Sequence, residues 1–396
     1  MKILVINAGS SSVKFQLFDM PLANPLCSGL AERIGSDKSF IRSKIYLNGA
    51  EKLVENNQPI PDHTVALKLI LSLLADVENG LMKDPEEIAV IGHRVVHGGE
   101  DFTKATLVTS EVKEKIKQLF SLAPLHNPLN YRCIEVAEKT FPKAKQVVVF
   151  DTAFHQSMPP QAFRYAIPAS YYTKENIRAY GFHGTSHKYV TQKAREYLQK
   201  PAAKMISIHL GNGCSITAVD GERSLDTSMG FSPLSGLVMG TRSGDIDPSV
   251  IFHLVSKLGM SSERINTLLN KQSGLSGLCG FSDMRDIRKA IEEGNKDAVF
   301  ACELYAYRIK KYIGAYVAVL NGLDALIFTA GVGENDPYIR ELVCSNLDFI
   351  HISLDKAQNN RKTEGIREIN KQDALIKILV VPTNEEFEIA RQCFEI

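Results

Sequence analysis

Apolar runs one strand long recur along the chain, at residues 3–6, 88–91, 147–150, 206–210, 326–329 and 378–381, and most break off into Gly, Asn, Thr, Asp or His. Such β-branched runs, bounded by small polar residues, predict buried strands. Between several of them, residues 65–74, 112–122 and 298–320 carry apolar positions at helical spacing. Strands alternating with amphipathic helices predict α/β layers, with a sheet covered on both faces.

The pattern also repeats. Residues 3–19 read ILVINAGSSSVKFQLFD and residues 206–220 read ISIHLGNGCSITAVD. In each, an apolar strand meets a tight small-residue turn, and a second alternating strand then ends in Asp. Both read as β-hairpins whose turns offer backbone N–H groups. One hairpin in each half predicts two domains of similar build facing each other across a cleft. A length of 396 residues, too long for one ordinary core, agrees. The boundary falls near residues 150–153, where the strand at 147–150 gives way to a proline-bearing, irregular stretch.

Composition narrows the class of ligand. The chain is 44% hydrophobic and 23% charged, with 46 Lys and Arg against 45 Asp and Glu and a net charge of +1. Neither sign forms a long run, so nucleic acid and anionic membrane are not expected partners, and a small ligand is. The seven cysteines are odd in number, scattered, and never form a Cys-x-x-Cys pair. That pattern predicts free thiols in a reducing cytoplasm. The first residues, MKILVINAG, hold too short an apolar run for a signal-peptide core, and no later run reaches membrane-spanning length.

The two commonest nucleotide fingerprints are absent as written. No Gly-Lys dipeptide occurs, and Gly211-Asn212-Gly213 and Gly331-Val332-Gly333 both lack the third glycine of Gly-x-Gly-x-x-Gly. Three glycine-rich turns are nonetheless expected to follow strands, at 210–213, 239–244 and 330–335. Each singly reads as a plain turn; together they favour a nucleotide, because glycine lets backbone amides approach phosphate or ribose. Arg94 lies in a strand-like stretch ending at Gly98-Gly99, and Arg242 lies in the tight loop Thr241-Arg242-Ser243-Gly244. Guanidinium is suited to gripping a carboxylate or phosphate with parallel bonds. His126 and His183 sit in loop-type sequence, whereas the four-residue spacings His93/His97 and His183/His187 lack the glutamate and third ligand of a zinc site. Asp151 follows the strand at 147–150, where the end of a buried sheet aims side chains at a ligand. Glu385 and Glu386 follow the last strand, and either reads equally as a helix N-terminal charge behind a Thr or Asn cap. A magnesium site needs only one or two carboxylates besides phosphate and water.

Taken together, NAGSSSVKF, GHRVVHGG, FDTAFH, YGFHGTSH, HLGNGCS, MGTRSGDIDP, GVGEN and PTNEE resemble the acetate kinases, the acetokinase family of the acetate and sugar kinase, Hsc70 and actin superfamily. The motifs run from the first strand to the last helix without a departure at any motif position. The resemblance implies an α/β fold of two actin-like (ribonuclease H-like) domains about a central cleft. The N-terminal domain would comprise residues 1–150 plus about 382–396 and carry the acetate and magnesium side. The C-terminal domain, residues 151–381, would bind nucleotide and supply the surface of a homodimer.

The implied reaction is reversible, in-line transfer from ATP to acetate, giving acetyl phosphate and ADP, with Mg²⁺ or in its place Mn²⁺. A propionate kinase, or another short-chain carboxylate kinase of the family, is the alternative. By position, the resemblance implies that Asn7 with Glu385 or Glu386 organises the metal, that Arg94 and Arg242 grip the carboxylate and the phosphoryl in transit, and that Asp151 acts near them. His183 would hydrogen-bond the phosphoryl oxygens, and His126 would help position the phosphate. Val96, Leu125, Phe182 and Pro233 would enclose the methyl group. Lys14 would stand near the phosphates, beside Ser10, Ser11 and Ser12 in the first turn. ADP would lie on His209, Leu210, Gly211, Asn212, Gly213, Asp283, Met284, Arg285, Gly331, Val332, Gly333, Glu334 and Asn335. Physical chemistry agrees, since an anionic nucleophile needs no strong base, only alignment and cancelled charge.

Overall fold

The computed structural model describes every residue except Ser10, Asn48, Gly80 and Leu125, and the side chains of Val77 and Pro85 are likewise outside the description. The chain divides into two compact units, Met1–Ala153 with Asn384–Ile396, and Phe154–Thr383.

The first unit is built on strands β1 (Lys2–Gly9), β2 (Ser12–Asp19), β3 (Pro25–Glu32), β4 (Phe40–Leu47), β5 (Ala50–Asn56), β6 (Ile88–Val95), β7 (Thr106–Leu107) and β8 (Lys145–Phe150). They lie in the order β5-β4-β3-β2-β1-β6-β8-β7. The second unit contains β9 (Lys204–Leu210), β10 (Cys214–Asp220), β11 (Arg223–Thr227), β12 (Ala325–Thr329), β13 (Arg367–Glu368) and β14 (Lys377–Val380), ordered β11-β10-β9-β12-β14-β13.

One five-strand core therefore occurs twice. β3-β2-β1-β6-β8 matches β11-β10-β9-β12-β14: an antiparallel meander of three, then two strands parallel to the first. These are two actin-like domains. The paired hairpins expected from the repeat are β1–β2, in register from Lys2↔Asp19 to Gly9↔Ser12, and β9–β10, from Lys204↔Asp220 to Leu210↔Cys214.

The apolar runs follow from burial on two faces. Leu4 and Ile6 of β1 enter one cluster with the helix His63–Ala75, whereas Ile3 and Val5 enter another with Ile389, Ala390 and Cys393 of the helix Glu385–Phe394. A strand alternating between two cores has no polar face to show. In the second unit Val190 and Ala194 of Gly184–Leu198 pack on Met205, Ala325, Ile327 and Leu379, and the helix Lys296–Leu320 packs against β10. β4 escapes an apolar scan because only one face is buried, with Arg42 and Lys44 pointing out between Ile41, Ser43 and Ile45.

Two of the three glycine-rich turns differ from expectation. Residues 330–335 do follow β12, but as a helix, Ala330–Asn335, begun directly at the strand end. Residues 239–244 follow no strand: β11 ends at Thr227, and the chain runs irregularly to the helix Pro248–Leu258. Gly236 and Gly244 there take φ of +98° and +67°, and any Cβ on Gly244 would meet the Gly236 and Leu237 carbonyl oxygens at 2.5 Å. Close backbone packing, not a strand, shapes this loop.

Candidate active site

In the first unit, strand ends gather one charged cluster. β1 delivers Asn7 and β6 delivers Arg94, while Asp151 follows β8 directly. Arg94 donates from Nε to Asp151 Oδ1 at 2.9 Å and from Nη2 to Oδ2 at 2.5 Å, and its Nη1 donates to Asn7 Oδ1 at 3.0 Å. Desolvation disfavours the Arg94 cation, but the Asp151 carboxylate outweighs it and raises the pKa, with Glu385 and Glu386 adding to the effect.

The two glutamates open the helix Glu385–Phe394, whose N-cap Asn384 accepts from Phe387 N, so both stand in its first turn. Their surroundings differ. Glu386 is buried and paired with Lys14 Nζ at 2.8 Å. Glu385 accepts no hydrogen bond among the described residues. Desolvation raises its pKa to about 7, with Asp151 and Glu386 pushing the same way and Arg94 opposing.

The start of the helix Asn127–Thr140 is laced to the same strand ends. Asn127 accepts from His97 N at 3.1 Å and donates to His97 O at 2.9 Å, while Asn130 accepts from Val96 N and donates to Ala8 O. His126 is the residue preceding this helix, and Val96 is buried beside the tie. Asn127 and Asn130 had no part in the sequence reading; the signal available was Asn127-Pro128, a helix start. Leu125 and Ser10 lie outside the described residues.

In the second unit, His183 takes the left-handed conformation at φ +56°, just before the helix Gly184–Leu198. Its ring stacks on His209 at 4.2 Å, and its Nδ1 lies 2.9 Å from Ser215 Oγ. Ser215 Oγ also lies 2.7 Å from His187 Nε2, and His187 Nδ1 lies 2.9 Å from Ser207 Oγ. Full burial drives the His187 pKa well below its usual value, so that ring is neutral. Both rings are oriented by serine hydroxyls. His209 Nδ1 meets Ser186 Oγ at 2.8 Å, and Ser186 in turn meets Thr383. A Cβ placed on Gly213 would lie 3.3 Å from His183 Cε1 and 3.7 Å from Arg242 Nη1, so these three positions are neighbours.

Arg242 donates from Nη1 to Pro233 O at 3.0 Å and has no ion pair among the described residues. Burial lowers its pKa. A half-buried guanidinium without a carboxylate is poised for an external anion. Phe182, buried, offers its carbonyl oxygen to His155 Nε2 at 3.0 Å.

A cavity of about 800 Å³ in the same unit is lined by Gly211, Asn212, Asp283, Met284, Arg285, Gly331, Val332 and Asn335. His209, Leu210, Gly213, Gly333 and Glu334 are not among its lining residues, and Lys14 belongs to the glutamate cluster of the first unit. Glu334 instead braces the loop, its Oε1 accepting from Ala330 N and Thr383 N. Ser282, Arg288, Asp336, Pro337 and Tyr338 also line the cavity and were not anticipated. Arg288 stacks on Tyr338 at 3.9 Å. Asp336-Pro337, a capped helix start, was the legible part of that wall.

The sequence profile described as the Acetokinase family matches residues 2–391. The chain belongs to the acetokinase family. It is 54% identical to an acetate kinase of Flavobacterium johnsoniae, covering 100% of this chain and 99% of that one. Among solved structures, this acetokinase-family chain superposes on the acetate kinase of Porphyromonas gingivalis with a TM-score of 0.93 at 44% identity, covering 100% and 99% of the two chains. A propionate kinase from Francisella tularensis superposes with a TM-score of 0.92 at 43% identity and the same coverage. Among the described residues, no helix is long and apolar enough to cross a membrane.

Proposed function

We propose that this chain is an ATP:acetate phosphotransferase that forms acetyl phosphate and ADP reversibly. The observation carrying the reading is Arg242, held by a carbonyl oxygen with no carboxylate of its own, beside Gly213 and His183, in a member of the acetokinase family. An acetate oxygen attacks the γ-phosphorus, the bond to the ADP oxygen breaks, and ADP leaves with the electron pair. No proton need be abstracted, so Asp151 serves by fixing Arg94.

Arg94 and Arg242 cancel charge on the carboxylate and the transferring phosphoryl, and His183 donates to phosphoryl oxygen. His126 helps position the phosphate. Lys14 acts through Glu386. ADP occupies the large cavity, its base side bounded by Asp283, Met284 and Arg285 and its phosphate side by Gly211, Asn212, Gly331, Val332 and Asn335, with His209, Leu210, Gly213, Gly333 and Glu334 shaping the turns behind. By the family resemblance, Val96 of the first unit and Phe182 and Pro233 of the second are the described residues proposed to contact the methyl group.

For the metal, the residues present fit a hard cation: an unpartnered, desolvated carboxylate is what a divalent ion relieves. Glu385 is thus the metal-facing glutamate, since Glu386 already holds Lys14, and Asn7 lies in the same cluster. Bound Mg²⁺, or Mn²⁺, would supply neutralisation of phosphate charge.

Acetate has four heavy atoms, so its affinity is bounded near about 6 kcal/mol, or tens of micromolar. An added methylene is worth only about 1 to 3 kcal/mol, so propionate is a poorer but real substrate. Hydroxylamine trapping of the acyl phosphate from C2, C3 and C4 acids tests this; a higher kcat/KM on propionate than on acetate would overturn the acetate assignment.

The homodimer reading is supported by the helix Pro248–Leu258, which buries no residue and exposes Val250, Phe252, Val255 and Leu258. Light scattering at monomer mass would refute it. Seven free thiols support a cytoplasmic location.

A further inference from the structure

Behind the wall of the large cavity lies a second, polar cavity of about 120 Å³, lined by Glu334, Asn335, Pro337, Arg340, Asn359, Asn360, Lys362, Thr363 and Arg367. Asn335 and Pro337 face both cavities. At about 30 Å³ per water, the space holds roughly four waters, which suits a tetrahedral oxyanion.

The charge here is unbalanced. Arg340 is only 1% exposed, yet its three hydrogen bonds all go to neutral oxygens: Nε to Asn359 Oδ1, Nη1 to Gly333 O and Nη2 to Asn359 O. A guanidinium carries five N–H groups, so two remain without a protein acceptor among the described residues. Among the described residues, Arg367 likewise donates only to the carbonyl oxygens of Arg361 and Glu334. Lys362 makes no ion pair among the described residues. The Glu334 carboxylate, which accepts from Ala330 N and Thr383 N and acts on Arg367, is the one anion among the lining residues against three cations. Burial, and then the neighbouring Arg367, depress the Arg340 pKa to about 10, with the Asp336 carboxylate opposing but not overcoming them. A buried cation is normally paired, and breaking such a pairing is costly.

We propose that this cavity is a second oxyanion site, which takes inorganic phosphate or a chemically equivalent tetrahedral anion between Arg340, Arg367 and Lys362. The site shares Asn335 and Pro337 with the wall of the large cavity but contains neither Arg94, Arg242 nor His183, and it stands whether or not acetate is the substrate.

The test uses the whole protein, crystallised without sulfate or phosphate and soaked in selenate. An anomalous selenium peak between Arg340 and Arg367, lost in crystals of Arg367→Gln, is expected. In solution, inorganic phosphate should raise the wild-type melting temperature above a chloride control of equal ionic strength. Its apparent affinity should drop about tenfold or more in Arg367→Gln and in Lys362→Ala, the loss of one charge-assisted contact. Lys362 is exposed, so its variant keeps the test valid should Arg367→Gln fold poorly. Glycerol 3-phosphate separates sources: no shift assigns a free anion, and an equal shift assigns a phosphomonoester head. No peak here while selenate appears elsewhere, or a phosphate response identical in wild type and both variants, overturns the proposal. A peak without any solution response marks an adventitious ion only and overturns it equally.

Discussion

Arg94 grips Asp151 through two parallel bonds, Nε to Oδ1 and Nη2 to Oδ2, and a third N–H fixes Asn7. Asp151 is almost wholly buried, while Arg94 keeps about a fifth of its side chain exposed. The carboxylate therefore orients the guanidinium, and two of its five N–H groups make no hydrogen bond among the described residues. Arg242 has no such partner.

This asymmetry separates the two arginines experimentally. Arg94→Ala strands a buried carboxylate, so stability should fall by about 3 kcal/mol or more, along with activity. Arg242→Ala removes a partly buried cation that pairs with no carboxylate among the described residues, so stability should hold. Its kcat should nonetheless fall by about 10²- to 10³-fold, as for loss of a preorganised charge-stabilising donor. Denaturant melts paired with initial rates check both; near-normal turnover in Arg242→Ala would remove its phosphoryl role.

Much of this was readable beforehand because burial leaves a plain imprint. A strand covered on both faces, such as β1 with Ile3 and Val5 on one side and Leu4 and Ile6 on the other, must be apolar throughout. The repeated hairpin was legible for the same reason. β4 was not, because a half-exposed strand mixes Arg42 and Lys44 into its pattern. Within the candidate site, Asp151 was legible from its place after β8 and Arg94 from the glycines that follow its strand, whereas Asn7 entered only through the family resemblance. Residues that act through contacts distant in sequence left no local signal. Ser215 touches His183, 32 residues away, and Asn130 reaches Ala8, 122 residues away. Lys14 was placed near phosphate as a bare charge, and only the fold shows it paired with Glu386.

Ser215 supplies the next prediction. One hydroxyl lies between His183 Nδ1 and His187 Nε2, and it has a single proton to give. If neutral His187 donates from Nε2, Ser215 donates to His183 Nδ1, and the His183 proton resides on Nε2, where it can meet phosphoryl oxygen. Ser215→Ala should lower kcat about tenfold with little change in KM, whereas Ser215→Thr, which keeps the hydroxyl, should recover most of it. A rise in KM with kcat intact would show that Ser215 serves binding instead.

Gly240 tests the nucleotide cavity from outside it. A Cβ there would stand 2.3 Å from Asn212 Oδ1, a side chain that lines the cavity, while Gly240 N donates to Asn212 O. Gly240→Ala must displace Asn212. The KM for ATP should rise several-fold and ADP should bind correspondingly more weakly by calorimetry, with the KM for acetate little changed. Unaltered ADP binding would place the nucleotide elsewhere.

Glu385 gives the pH dependence. Its carboxyl moves from an ordinary value of 4.5 to about 7 in the fold, chiefly by desolvation. Between those values the folded state binds more protons than the unfolded one, so this group's contribution favours folding below the lower value and is lost as pH rises toward the upper. Metal-free Glu385→Gln should therefore melt higher than wild type near pH 8, and the difference should vanish near about pH 4.5. A divalent ion must displace the proton, so the gain in wild-type melting temperature on adding Mg²⁺ should grow from about pH 6 to about pH 8. In Glu385→Gln that gain should be small and flat with pH, while Glu386→Gln, which unpairs Lys14 instead, should keep the slope. A Mg²⁺ response lost in Glu386→Gln but retained in Glu385→Gln would exchange the two glutamates' roles.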